Sequence, residues 1–377
     1  MPKILIVGNT GYSLYGFRLN LLRALCQAGW EVVAVAHDEA DFASKLAAAG
    51  MRFLDIPFDH KGKNPLKDLV LIYRLVKLYR RERPAIVHHF TIKPVIFGTL
   101  AAKLAGVPKI VNTITGLGYT FQQGGWLQTL VKQLYKVSLA GRPQVIFQNH
   151  DDCRLFLEQR LVASRQAHVI LGSGINTREL VPRPRAANRN GNLVFLLVGR
   201  MLWSKGIREY VEAAAKVKAC HPECFFLMVG GHSGAGSAAN PEAIPTAWLD
   251  RVRQEGVVHW LGAIPNTRVL ELWDAADVAI LPSYCEGLPK SLLEAAAKGK
   301  PLIATDTPGC REVVHHGLNG FLVPVKNSDE LAAAMLRFIA RPELLGPMGA
   351  VSRKMAEHLF DEHIVINKIL AIYQNNN

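Results

Sequence analysis

Short apolar runs alternate along this chain with segments whose apolar residues recur every three or four positions. ILIVG (4–8), EVVAVA (31–36), AIVHHF (85–90), KIVNTIT (109–115) and QVIFQN (144–149) read as strands, with helical stretches such as 17–28 and 95–105 between them. A Pro/Arg/Asn-rich stretch, VPRPRAANRNGN (181–192), interrupts the pattern. It restarts with LVFLLVG (193–199), CFFLMVG (224–230), VVHWLG (257–262), VAILPS (278–283) and PLIATD (301–306). Runs without polar alternation suit parallel strands covered on both faces. Two blocks of strand–helix alternation predict an α/β protein of two doubly wound, Rossmann-like domains facing each other across a cleft. The break falls within 171–192, giving domains at 1–175 and 176–358 and a last helix within 359–377.

In such sheets ligands sit beyond the carboxyl ends of the strands, so the loops there carry the candidate chemistry. The most informative is SYCEGLPKSLLEAAAKGKP (283–301), which places Glu286 and Glu294 eight positions apart across a loop-to-helix boundary. Gly287 and Pro289 sit at the turn. A helix start offers unpaired amides and the positive end of a dipole to a phosphate, and a proline in the first turn forfeits no hydrogen bond. Eight helical residues rise about 12 Å, so the carboxylates would hold different ends of one ligand, a sugar and a ribose, rather than share a proton. The spacing alone is weak. Glu31 and Glu39 repeat it across a strand and its loop, with no helix start between them.

After the strand at 193–199, GRMLWSKGI sets Arg200 and Lys205 five residues apart at a helix start. A fixed guanidinium and a mobile ammonium aimed at one point suit a diphosphate, though surface charge on a loop reads the same way. After the first strand, GNTGYSLYG carries Gly8, Gly11 and Gly16 without spelling the dinucleotide fingerprint. It reads as a loop of close backbone approach, with Gly11 and Tyr12 toward the cleft, and gives no support to a nicotinamide cofactor. The absence of a P-loop, of a Gly-x-Ser-x-Gly elbow and of Asp-x-Asp counts against a simple nucleotide triphosphatase, an α/β-hydrolase and a metal-bridged diphosphate.

The 377 residues, 49% hydrophobic and 20% charged, are enough for two folded cores, and the longest apolar runs fall short of a membrane span. Six cysteines without a regular framework read as reduced thiols in a cytoplasmic protein, and Cys220 and Cys224 around His221 lack a second cluster at zinc spacing. The net charge of +13 is uneven: residues 1–170 carry 22 Lys+Arg against 11 Asp+Glu, and 171–377 carry 22 against 20. A basic half implies nucleic acid, an anionic membrane surface or a phosphate-bearing substrate, or else simple solubility. Residues 66–83, LKDLVLIYRLVKLYRRER, form a basic amphipathic helix expected to pack on the sheet. In 126–137 Trp126, Leu130 and Tyr135 interleave with Lys132 and Lys136 behind the Gly-rich FQQGGW, which points to contact with anionic lipid. No nucleic-acid-binding motif accompanies the charge.

Together these residues resemble the retaining glycosyltransferases of family 4, of the glycosyltransferase-B fold, over essentially the whole chain. The resemblance implies that Glu286 lies against the transferred sugar and Glu294 holds the ribose hydroxyls, with Arg200 and Lys205 on the diphosphate. It further implies that the amides around Ser291 and Leu292 cap the diphosphate beside Gly287 and Leu288, that the backbone near Ile264 meets the base, and that the last helix crosses back to the first domain. Segment 88–121 is similar to bacterial enzymes that extend polyprenyl-diphosphate-linked sugars, such as N-acetylgalactosaminyltransferases acting on lipid-linked bacillosamine. Many relatives have a histidine where this chain has Thr115 before Gly116; His88, His89 and Lys93, at an earlier strand end, are candidate acceptor-side residues.

The expected enzyme is a hexosyltransferase moving a hexose or N-acetylhexosamine, N-acetylgalactosamine foremost, from a UDP-sugar to a polyprenyl-diphosphate-linked saccharide. It would need no cofactor and no metal, and would work from the cytoplasm on the inner face of the plasma membrane. A UDP-sugar epimerase of the same fold and a non-catalytic nucleotide-sugar or membrane-binding protein are the alternatives. Acceptor-free interconversion of UDP-sugars would mark the first, and UDP binding without turnover the second.

Overall fold

The computed structural model describes residues 1–58, 65–117, 125–183, 192–231 and 242–375. Most of the interrupting stretch at 181–192, most of FQQGGW and the end of the 88–121 segment therefore lie outside the described residues. The chain divides into two compact units, Met1–Ser173 with Glu362–Asn377, and Gly174–Asp361.

Unit 1 is built on seven parallel strands: β1 (Lys3–Thr10), β2 (Glu31–His37), β3 (Arg52–Asp55), β4 (Ile86–Phe90), β5 (Lys109–Ile114), β6 (Gln144–Phe147) and β7 (Ala167–Val169). They lie in the order β3-β2-β1-β4-β5-β6-β7, so the winding reverses between β1 and β4. The edge strands β3 and β7 escape a reading based on apolar runs because they are short and only half-covered. Side chains alternate along β1. Ile4 and Ile6 enter a core with helices Gly11–Gln27 and Glu362–Gln374, while Leu5 and Val7 enter another under helix Pro65–Glu82. That two-sided cover is why the run has no polar phase. Helix Glu362–Gln374 contributes Val365, Ile366, Ile369, Ile372 and Tyr373 to the first core, and each buried aliphatic is worth about 1.5–3 kcal/mol.

The Gly-rich segment after β1 is not a loop. β1 runs to Thr10 and helix Gly11–Gln27 starts at once, because Thr10 caps it: the Ser13 amide donates to Thr10 Oγ1 at 3.2 Å. A Cβ on Gly11 would stand 2.6 Å from Phe42 Cβ, so the glycine serves helix packing.

Unit 2 has six parallel strands: β8 (Val194–Val198), β9 (Phe225–Val229), β10 (His259–Trp260), β11 (Val278–Leu281), β12 (Leu302–Thr305) and β13 (Gly320–Val323). Their order is β10-β9-β8-β11-β12-β13, which puts the reversal between β8 and β11. β13 was not expected from sequence. It opens with Gly320, whose missing Cβ would lie 1.8 Å from the Leu302 carbonyl oxygen.

Candidate active site

The crevice beyond the carboxyl ends of the strands at the reversal is where doubly wound sheets bind ligands, and in unit 2 the loops after β8 and β11 border it. They carry Arg200 with Lys205, and Glu286. The β8 loop leaves Gly199, makes a tight turn at Trp203–Lys205 and enters helix Ile207–Cys220 through Gly206, at φ +68. A Cβ on Gly206 would sit 2.0 Å from the Pro282 carbonyl oxygen, so glycine is what lets the two loops touch. The Tyr284 amide then donates to the Ser204 carbonyl at 2.9 Å, and the Tyr284 hydroxyl donates to Glu209 at 2.6 Å. Held this way, the Lys205 ammonium donates to the Glu286 carboxylate, with both side chains largely covered. Arg200 is exposed and meets no acceptor among the described residues.

One further strand-end loop closes on this pair. After β12, Gly309 (φ +78) runs so close that a Cβ would be 2.4 Å from the Gly287 carbonyl oxygen. Burial, and next the charge of Glu286, push the enclosed Cys310 thiol up to about 12, so it stays neutral. Sequence reasoning passed over this loop and the Tyr284–Glu209 bond. The strand end at PLIATD was the signal for the loop. The loops after β8, β9 and β10 touch in a row: the Met201 amide donates to the Gly231 carbonyl at 3.2 Å and the Gly230 amide to that of Gly262 at 2.9 Å. Half-buried Ile264 follows on the last of them.

Helix Lys290–Ala297 begins beyond Pro289, so only the second half of the Glu286–Glu294 separation is helical and the expected rise of about 12 Å does not apply. The Leu292 amide donates to the Pro289 carbonyl at 3.1 Å and is spent inside the turn, while the Ser291 amide donates to nothing among the described residues. Leu288 is half-buried in the approach to this turn. Glu294 is 5% exposed and accepts a long 3.4 Å bond from Trp273 Nε1. Burial raises its carboxyl above the usual range, against the pull of the Lys290 charge and the Trp273 bond.

The unit 1 assignments fare less evenly. His88 and His89 are fully buried on opposite faces of β4 and reach no surface. His88 lies between the Tyr373 hydroxyl at 2.5 Å and Thr113 Oγ1 at 2.7 Å. His89 donates to Asn112 Oδ1 at 3.0 Å and accepts from the Tyr79 hydroxyl at 3.0 Å. Burial holds both below the ordinary imidazole range, His89 at about 3. They are neutral core residues, not acceptor ligands. Lys93 donates to Asp68 at 2.8 Å. Glu39, half of the decoy pair, accepts from the Gly11 amide at 3.0 Å and the Tyr12 amide at 3.4 Å, occupying that helix start with a carboxylate of the chain itself. Thr115 and Gly116 (φ +111) follow β5 and are half-exposed.

On helix Gly125–Leu139 the expected lipid-facing set splits. Trp126 and Leu130 are exposed, Lys132 is half-covered, Lys136 is exposed, and Tyr135 is buried edge-on against Phe156. Nine residues at 100° each put Tyr135 half a turn from Trp126. Helix Pro65–Glu82 does pack Leu71, Leu75, Leu78 and Tyr79 inward, yet its opposite face exposes a second apolar stripe, Leu66, Leu69, Val70 and Tyr73, running into Arg74, Lys77, Arg80 and Arg81.

Residues 182–355 match the family described as glycosyl transferases group 1, and residues 3–149 match glycosyl transferase 4-like. The N,N'-diacetylbacillosaminyl-diphospho-undecaprenol alpha-1,3-N-acetylgalactosaminyltransferase of Campylobacter jejuni is 29% identical, over 98% of both chains. The UDP-Gal:alpha-D-GlcNAc-diphosphoundecaprenol alpha-1,3-galactosyltransferase of Escherichia coli is 26% identical over 82% of this chain and 80% of its own. Among solved structures, HepE of Anabaena in complex with UDP-glucose superposes with a TM-score of 0.79 at 18% identity, covering 99% of each chain. A glycosyltransferase from Rickettsia africae reaches 0.78 at 19%, covering all of both. With a group 1 glycosyl transferase domain over residues 182–355 of unit 2 and a glycosyl transferase 4-like domain over residues 3–149 of unit 1, the chain carries the two domains of a glycosyltransferase of the glycosyltransferase-B fold.

Proposed function

We propose that this hexosyltransferase moves a hexose or N-acetylhexosamine, N-acetylgalactosamine foremost, from a UDP-sugar to a polyprenyl-diphosphate-linked saccharide in bacterial glycan assembly. The observation that carries the donor half is the Lys205–Glu286 pair at the sheet reversal, on loops that also carry Arg200, exposed and without an acceptor among the described residues. Breaking a glycosyl–phosphate bond places negative charge on the leaving nucleoside diphosphate and positive charge on the ring. Arg200 and Lys205, with the Ser291 amide, take up the first without a metal ion. As Lys205 turns to the diphosphate it frees Glu286 for the sugar hydroxyls. Charges aimed at a leaving group stabilise the transition state more than the ground state. Glu294 receives the ribose, and the backbone near Ile264 the base. The acceptor hydroxyl attacks from the face the leaving group departs, with a phosphate oxygen taking its proton, which retains the anomeric configuration. The acceptor half and the choice of sugar follow the two named relatives.

The acceptor's lipid places the enzyme on the inner face of the plasma membrane as a peripheral protein. Trp126 and Leu130, with the Leu66–Tyr73 stripe and its basic collar, are the surfaces that would rest on anionic lipid. No described helix is long and apolar enough to cross a membrane.

The test is UDP release from a panel of UDP-sugars, with and without a short polyprenyl-diphosphate-sugar acceptor, in EDTA. Turnover that requires acceptor and survives EDTA is the expected result. Interconversion of UDP-sugars without UDP release would make the protein an epimerase. UDP binding with no reaction on any pairing would overturn the assignment.

A further inference from the structure

Arg18 lies on helix Gly11–Gln27 facing the sheet and is 8% exposed. Among the described residues its guanidinium has one hydrogen bond, to the Phe17 carbonyl at 3.1 Å, and it stacks over the Phe90 ring at 4.4 Å. A guanidinium has five N–H donors, and an aromatic face attracts the charge without accepting those protons. Burial lowers its pKa to about 10, which leaves it charged at neutral pH. Arg18 lines a cavity of about 10 Å³ within unit 1, at the carboxyl ends of β4, β5 and β6. Thr113, Gln148 and Ser173 supply the other polar side chains, the remaining wall is Phe90, aliphatic residues and one glycine, and no carboxylate is among them. Buried charges are otherwise paired. Water could fill such a space, but water brings no charge.

We propose that this cavity is an anion site, in which Arg18 binds one monovalent anion of about the size of a water molecule, a halide ion. The free space takes the centre of one water-sized sphere, so it admits at most one small ion and excludes a whole phosphate. Every residue that lines it belongs to unit 1, and the proposal does not depend on the transfer reaction.

The experiment is thermal unfolding of the full-length protein in sodium chloride, bromide, phosphate or gluconate at matched ionic strength. Chloride and bromide should raise the melting temperature saturably over gluconate, by about 2–4 °C at a hundredfold excess over Kd. Arg18→Met, which keeps the apolar stem, should lose that halide-specific rise. Equal melting in all four salts would overturn the site. So would a halide response kept by Arg18→Met, or a phosphate response exceeding that of chloride. Crystals of the unaltered protein grown in bromide need no variant: an anomalous peak in contact with the Arg18 guanidinium is expected, and none at full bromide would refute the proposal.

Discussion

Replacing Glu286 by Gln separates the two roles proposed for the central ion pair. Lys205 cannot grip a diphosphate while it is bound to Glu286, so part of the donor's binding free energy goes into breaking the pair. Its side chains are 16% and 13% exposed, between a surface pair worth about 0–1 kcal/mol and a buried one whose attraction is offset by desolvation. A net value near 1 kcal/mol corresponds to about fivefold in an equilibrium constant. Glutamine keeps the shape and removes the charge, so Glu286→Gln should bind UDP about fivefold more tightly in titration calorimetry. Turnover should fall by about 10²–10³, because the transferred sugar loses its carboxylate in the transition state. Lys205→Met should lose both UDP affinity and turnover. Ten-fold weaker UDP binding in Glu286→Gln, or turnover close to that of the unaltered enzyme, would refute the exchange of partners.

The buried histidines make a pH prediction. Both bind a proton more weakly folded than unfolded, so the unfolded state takes up more protons between the ordinary imidazole value near 6.5 and the value of about 3 for His89. Stability is full above that window and falls as pH drops through it, by up to about 1.4 kcal/mol per pH unit for each histidine; denaturant melts of His89→Gln should show a shallower acid slope. On helix Pro65–Glu82, Leu69→Ser with Tyr73→Ser should cut pelleting with anionic vesicles several-fold at low salt and leave melting nearly unchanged. Tyr135→Ala should instead cost about 3–5 kcal/mol of stability, and equal vesicle loss from both would refute the assignment of faces. Gly309→Ala must displace the Glu286–Gly287 backbone and should lower kcat/KM more than tenfold. Gly256→Ala, at φ +68 with nothing near its added methyl, is the matched control and should cost only about 1 kcal/mol of stability.

What could be read in advance divides along physical lines. Strands covered on both faces announce themselves as apolar runs, so the alternation and the two sheets were legible, whereas β3, β7 and β13, short or led by a glycine under a neighbouring carbonyl, were not. Charged residues at strand ends were legible because ligands of doubly wound sheets bind beyond the carboxyl ends of the strands. That the structure joins Lys205 to Glu286, eighty-one positions apart, depends on Gly206 and Gly309 permitting loop contacts that no periodicity records. The errors came from reading composition without direction. His88 and His89 looked chemical but sit on a strand buried on both sides, and Trp126 and Tyr135 looked like one face though they lie half a turn apart.

The two Glu pairs carry the same lesson at the site itself. Glu31 bonds Lys3 and Arg52, and Glu39 fills the start of helix Gly11–Gln27, so both carboxylates of that pair are spent on the protein. Of the other pair, among the described residues Glu286 is held by the Lys205 ammonium and Glu294 by one long bond from Trp273. Carboxylates left so weakly satisfied under cover carry a desolvation cost that a ligand's hydroxyls can relieve. Identical spacing thus separates the pair spent on the protein from the pair proposed to hold the donor by what each carboxylate already holds.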